Sequence, residues 1–112
     1  MLPAGVKVKI GERCEYDPET RTIYLAPDAD HYARAHEAAH ARQHHEQSLI
    51  WRAYCVCRWV PVLSWLVVVV IELDALLRVR RSWSPEQWRG YSRKAWACWR
   101  SYLVCIPMRR QE

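Results

Sequence analysis

All five histidines of this chain lie between His31 and His45. Within that segment, His36-Glu37-Ala38-Ala39-His40 sets two imidazoles four residues apart, with a carboxylate directly after the first. Residues four apart on an α-helix share one face about one turn apart, so both rings can reach a single metal ion. Imidazole nitrogen suits zinc, at about 2.0–2.1 Å. Glu37 leaves the helix on a neighbouring face, where it can reach a metal-bound water without itself binding the metal. Zinc supplies the acidity that makes such a water a nucleophile near neutral pH. In a chain of this composition the five-residue pattern arises by chance in roughly one or two sequences per hundred. The competing reading is a solvated, His-rich surface helix.

Two ligands do not make a catalytic zinc site; a third is needed. His44 continues the same stripe, but a helix rises about 6 Å between His40 and His44, so three consecutive stripe residues cannot surround one ion. Metzincins place Gly and His further along the same helix, and here those positions hold Gln43 and Glu46, which excludes that class. The third ligand must come from another element. Glu72 directly follows the apolar run Val67-Val68-Val69-Val70-Ile71. A carboxylate buried there must be paired, protonated or metal-bound, because an isolated buried charge is too costly. A salt bridge to an Arg is the structural alternative. Asp74 points elsewhere and has Arg78 one turn later as its partner.

With these motifs in this order, the sequence resembles the gluzincin zinc peptidases. These join His-Glu-x-x-His on one helix to a Glu on a later helix that often reads Glu-x-x-Ala, and Glu72-Leu73-Asp74-Ala75 matches that second pattern. The resemblance covers about Thr20 to Leu77 and is to the minimal single-domain members, the minigluzincins, related to the HtpX-like and prenyl-protein peptidases. It implies that His36, His40 and Glu72 bind Zn2+ and that Glu37 is the general base and acid. The activity it implies is that of a metallopeptidase, a hydrolase acting on the peptide bonds of a polypeptide substrate. Leu76 stands where many relatives carry an Asp that supports a zinc-bound His. Tyr91, His44 and an Arg are all candidates for stabilising an oxyanion.

The elements that must hold these residues can be read from pattern. Val6, Val8 and Ile10 alternate with Lys7 and Lys9, as in a half-buried strand. The segments Cys14 to Tyr16 and Thr20 to Leu25 flank the turn signal Asp17-Pro18-Glu19. The expected fold class is α+β: a small antiparallel sheet of about three strands packed on three to four helices, zincin-like by the resemblance. Asp28 or Asp30 can cap an Ala-rich helix from about His31 to Gln47, since a short carboxylate accepts from free amides at a helix start. A second helical region spans about Leu49 to Trp59, and Pro61 breaks or kinks it. A long apolar helix follows, from about Val62 to Arg80, and reads as buried core. Ser84-Pro85-Glu86-Gln87 opens the last helix with a capping box. Along it Trp88, Tyr91, Ala95, Trp99 and Tyr102 recur at helical spacing, as a packing stripe would.

A chain of 112 residues is expected to form a single domain. Charge is uneven: residues 1–46 carry six basic and eight acidic side chains, whereas residues 47–112 carry eleven basic and four acidic ones and all seven Trp. That basic, Trp-rich half opens a second function class, a non-catalytic helical module docking on a membrane surface or a protein. A third reading keeps the zinc-binding zincin but makes it latent. No nucleic-acid partner is expected, and peripheral membrane contact stays open. The odd cysteine count, Cys14, Cys55, Cys57, Cys98 and Cys105, without a Cys-x-x-Cys, reads as buried thiols in a reducing compartment. No signal peptide is legible, and the apolar run from Trp59 to Ile71 is shorter than the roughly 20 residues a spanning helix needs. The expected location is therefore cytoplasmic. In the C-terminal tail, Cys105, Glu112 or the terminal carboxylate could close the metal as a fourth ligand; the alternative is a frayed, solvated end.

Overall fold

The computed structural model describes residues 2–57 and 59–104. The chain divides into two units, Met1–Ser48 and Leu49–Glu112. The first is organised around the strand with the most buried side chains. Thr22 and Ile23 are both buried, and Thr22–Leu25 (β3) takes the centre of a three-stranded sheet ordered β1-β3-β2. Glu15–Asp17 (β2) pairs with β3 antiparallel, with Tyr16 opposite Ile23. Lys7–Ile10 (β1) pairs with its other edge in parallel, from Lys7 opposite Thr22 to Ile10 opposite Leu25.

The sheet is thus mixed, and the expectation of an antiparallel one is corrected. The β2–β3 turn forms where the Asp-Pro-Glu signal stands. Asp17 accepts at Oδ1 from the Glu19 amide (2.9 Å) and at Oδ2 from the Thr20 hydroxyl (3.0 Å). Arg21 completes the reversal in the left-handed region, φ 54°, at a cost of about 1–2 kcal/mol for a residue with a Cβ. With β2 on one edge of β3, β1 must take the other. Gly11 ends β1 by donating to the Leu25 carbonyl (2.9 Å), and a Cβ there would lie 3.1 Å from that of Tyr24. The half-buried reading of β1 is also corrected, since all four of its residues are exposed, Val8 and Ile10 included. Alternation shows that one face is apolar; it does not show that anything covers it.

His31–Glu46 (α1) packs on β2 and β3. Asp30 caps it, accepting from the Ala33 amide at 2.8 Å. Ala39 and Ala41 are buried on this helix, where small side chains let backbones approach closely.

In the second unit, Ser48–Cys57 (α2) buries Trp51, which meets Tyr54 edge to face. Pro61–Ser82 (α3) begins at its proline, in the first turn, where a missing amide leaves no bond unmade. Pro85–Val104 (α4) starts with the expected capping box: the Ser84 hydroxyl accepts from the Gln87 amide (3.2 Å), and the Gln87 side chain accepts from the Ser84 amide (3.0 Å). The two helices form a hairpin tied by indoles, with Trp65 Nε1 donating to the Tyr102 carbonyl (2.8 Å) and Trp99 Nε1 to that of Val69 (3.4 Å). Trp88, Trp96 and Trp99 stack edge to face along α4. Two expectations change here. Of the proposed α4 packing stripe only Ala95 is fully buried, the others being half-buried. On α3, Ile71, Ala75, Leu76 and Val79 are core, whereas Val62, Leu63, Leu66 and Val70 are exposed. The apolar run is therefore core at its end and surface at its start. No helix among the described residues is long and apolar enough to cross a membrane.

Candidate metal centre

One stripe of α1 carries the chemistry. His36, Glu37 and His40 are all buried, as are Tyr32 one turn before and Gln43 three residues after the pair. The rings of His36 and His40 stand nearly perpendicular (88°), with centroids 4.7 Å apart and their Nε2 atoms 3.2 Å apart. Two nitrogens bonded to one tetrahedral ion at about 2.0–2.1 Å lie roughly 3.3 Å from each other. The observed spacing is close to that value, and it is equally the length of a hydrogen bond between the two rings.

Each Nδ1 has a partner on the same helix. His40 Nδ1 faces Gln43 Oε1 at 3.4 Å, and His36 Nδ1 faces the Tyr32 hydroxyl at 3.3 Å. The Gln43 oxygen accepts only, so this contact places the proton on Nδ1 of His40 and makes its Nε2, which faces His36 Nε2, the accepting nitrogen. A ligating imidazole ordinarily has such a second partner, which fixes its tautomer. Sequence reasoning missed this role and used Gln43 only to exclude the metzincin pattern. The signal was there: Gln43 lies three residues after one ligand and seven after the other, on the face that both share.

Glu72 lies in the second unit, half-buried on α3 between buried Ile71 and Ala75. Asp74 is bound to Arg78, whose Nε donates to its Oδ2 at 2.7 Å, which leaves the structural role expected of it. Tyr91 packs edge to face on Trp83. The tail from Cys105 to Glu112, with its proposed fourth ligand, lies outside the described residues. Among described cysteines none is fully buried, contrary to expectation: Cys55 is exposed, Cys14, Cys57 and Cys98 are half-buried, and none of these four is in a disulfide.

No protein-family model matches this chain, nor does any curated protein or solved structure. The case for a metal centre therefore rests on the chain's own residues.

His44, the third member of the stripe, serves the sheet. Its Nδ1 accepts from the Tyr16 hydroxyl at 2.7 Å, and the rings meet edge to face. Burial, aided by the charges of Arg21 and His45, holds the His44 pKa below its usual 6.5. Burial raises that of Tyr16, against the opposing pull of Arg21. The neutral imidazole is thus the form that accepts. A histidine with a depressed folded pKa contributes stability that is complete above pH 6.5 and is lost as pH falls through the folded value. Tyr16→Phe is expected to cost about 1 kcal/mol at pH 7.5. The cost should shrink at a second pH, far enough below 6.5 to protonate His44, as the charged ring ceases to accept. Urea melts at the two pH values check this; a cost that grows on acidification contradicts it.

Proposed function

We propose that this chain is a zinc-dependent endopeptidase in which His36, His40 and Glu72 together hold one zinc ion. Glu37 is its general base and acid. The observation that carries the reading is the 3.2 Å approach of the two Nε2 atoms inside a buried His-Glu-x-x-His helix. The apolar run before Glu72 and its place in Glu-Leu-Asp-Ala support the choice of third ligand. A zincin-like fold belongs to the same proposal; what supports it is the α+β class, with a sheet strand followed by the capped motif helix.

Bound zinc supplies Lewis acidity, which lets water act as a nucleophile near neutral pH and polarises a carbonyl. The chain's own groups do the rest. A Glu37 carboxylate oxygen takes the proton of the attacking water as its oxygen bonds to the peptide carbonyl carbon. The same oxygen then delivers that proton to the amide nitrogen as the C–N bond breaks, so Glu37 ends as it began. Gln43 holds His40 in the ligating tautomer, and Tyr32 fixes the ring of His36. A polypeptide substrate can add as a strand to a sheet edge, through main-chain hydrogen bonds.

Metal analysis of the purified protein tests the reading. One zinc per chain is expected in the wild type and little in His40→Ala. A protein that stays metal-free when dialysed against micromolar zinc is not this enzyme.

A further inference from the structure

Outside the histidine helix, the least expected feature of the chain is an apolar surface at one end of the second unit. The α3–α4 hairpin turns at Trp83 and Ser84. Its other end brings together the start of α3 and the end of α4, as the Trp65-to-Tyr102 bond requires. That open end also receives the last turn of α2, because the Val60 amide donates to the Cys57 carbonyl (2.9 Å) just before α3 begins. Val56, Trp59, Val62, Leu66, Leu103 and Val104 belong to these three segments near that end, and all six are exposed. Trp59 is 79% exposed, Val62 60% and Val104 75%. Val62, Leu66 and Val70 are spaced by four, so they form one continuous stripe along α3.

Charge says what covers it. Residues 47–71 contain no Asp or Glu, nor do residues 87–104. The acidic groups of the hairpin lie further along: Glu72 begins eleven residues into α3, about 16 Å from its first turn, and Glu86 stands at the turn end. Residues 47–112 have eleven basic and four acidic side chains, a net of +7. Arg52 and Arg100, both exposed, stand four residues before Val56 and Val104. Each cation therefore sits one helical turn behind an apolar tip.

We propose that this end docks on an anionic lipid bilayer. Apolar tips enter the headgroup boundary, exposed Trp59 settles at the interface where indoles are favoured, and arginines one turn back meet lipid phosphates. An apolar patch without cations would suit a second protein equally; two exposed arginines, with no carboxylate in residues 47–71 or 87–104, select a negatively charged surface. The contact is superficial, since no described helix can cross. It does not depend on the zinc reading.

Sedimentation of the full chain with vesicles tests this. Vesicles of phosphatidylcholine alone are compared with vesicles containing about 30% phosphatidylglycerol, at low salt and at about 0.5 M salt. Binding is expected to be about tenfold or more tighter to the anionic vesicles and to weaken with salt. V62E/L66E and L103E/V104E should each lower it by about tenfold or more, with unchanged circular dichroism and zinc content. The two variants change different helices at exposed positions, and the lipid and salt comparisons need no variant. Equal binding to both vesicle types overturns the proposal, as does full binding by both variants. A wild-type dimer that either variant dissolves, with no vesicle binding, assigns the surface to a second copy instead.

Discussion

Glu37→Gln is expected to retain bound zinc and to lower hydrolysis of an unstructured protein such as casein by about 10²–10⁴-fold, the usual contribution of a general acid–base group. The substitution keeps the shape of a side chain that is buried on α1, so packing is largely preserved. It removes the only property the proposal uses, the capacity of a carboxylate oxygen to take a proton and return it. Glu37 is adjacent to one histidine and three residues from the other, and about 100° around the helix from His36. The pair can therefore bind metal without it. Zinc content and cleavage rate are measured on the same preparation. Loss of both shows that Glu37 is a structural or ligand residue; unchanged cleavage ends the mechanism.

The second large effect separates two carboxylates on one helix. Glu72→Gln should weaken zinc binding by about a hundredfold or more, beyond what removing an outer partner of a ligand does. Asp74→Asn should change it less than tenfold. The difference in expectation comes from the surroundings of each carboxylate on α3. Asp74 is held by Arg78 at 2.7 Å, one turn along the same helix. Glu72 follows five apolar residues and lies between buried Ile71 and Ala75. Zinc titration against a competing chelator gives both affinities. Equal losses mean that the third ligand has been misassigned, and a loss confined to Asp74→Asn names the other carboxylate.

How far the sequence could be read depended on the range of the forces involved. Helix starts were legible because caps are local: Asp30, Pro61 and the Ser84–Gln87 box all act within a turn of where they stand. The histidine pair was legible for the same reason, since four-residue spacing on a helix fixes which side chains share a face. Gln43 could have been found by that rule and was overlooked. Strand pairing is different. The alternation in Val6 to Ile10 says nothing about direction; residues 11–14 start β2 at the end of the sheet where β1 stops, and with β2 antiparallel to β3 this makes β1 parallel to it. The start of α3 misled for a related reason. Hydrophobicity measures what a segment would gain by burial, and only the surrounding chain decides whether burial happens; Val62, Leu66 and Val70 remain exposed.

The parallel strand β1 carries a further consequence, for the order in which the sheet is lost. β2 and β3 are joined through residues 18–21 and can re-form on their own. Lys7 meets Thr22 fifteen positions along the chain, with β2 inside the intervening loop, so β1 closes a longer loop for its contacts. Its exposed side chains return little burial for that entropy. It is therefore the last strand to join and the first to leave. When it goes, it uncovers one edge of β3, whose free amides and carbonyls are a template for a strand from another molecule. Lys7 and Lys9, which charge the outer edge of the folded sheet, depart with it. Self-association of partly opened molecules should thus begin at Thr22–Leu25, the strand that the native fold buries best.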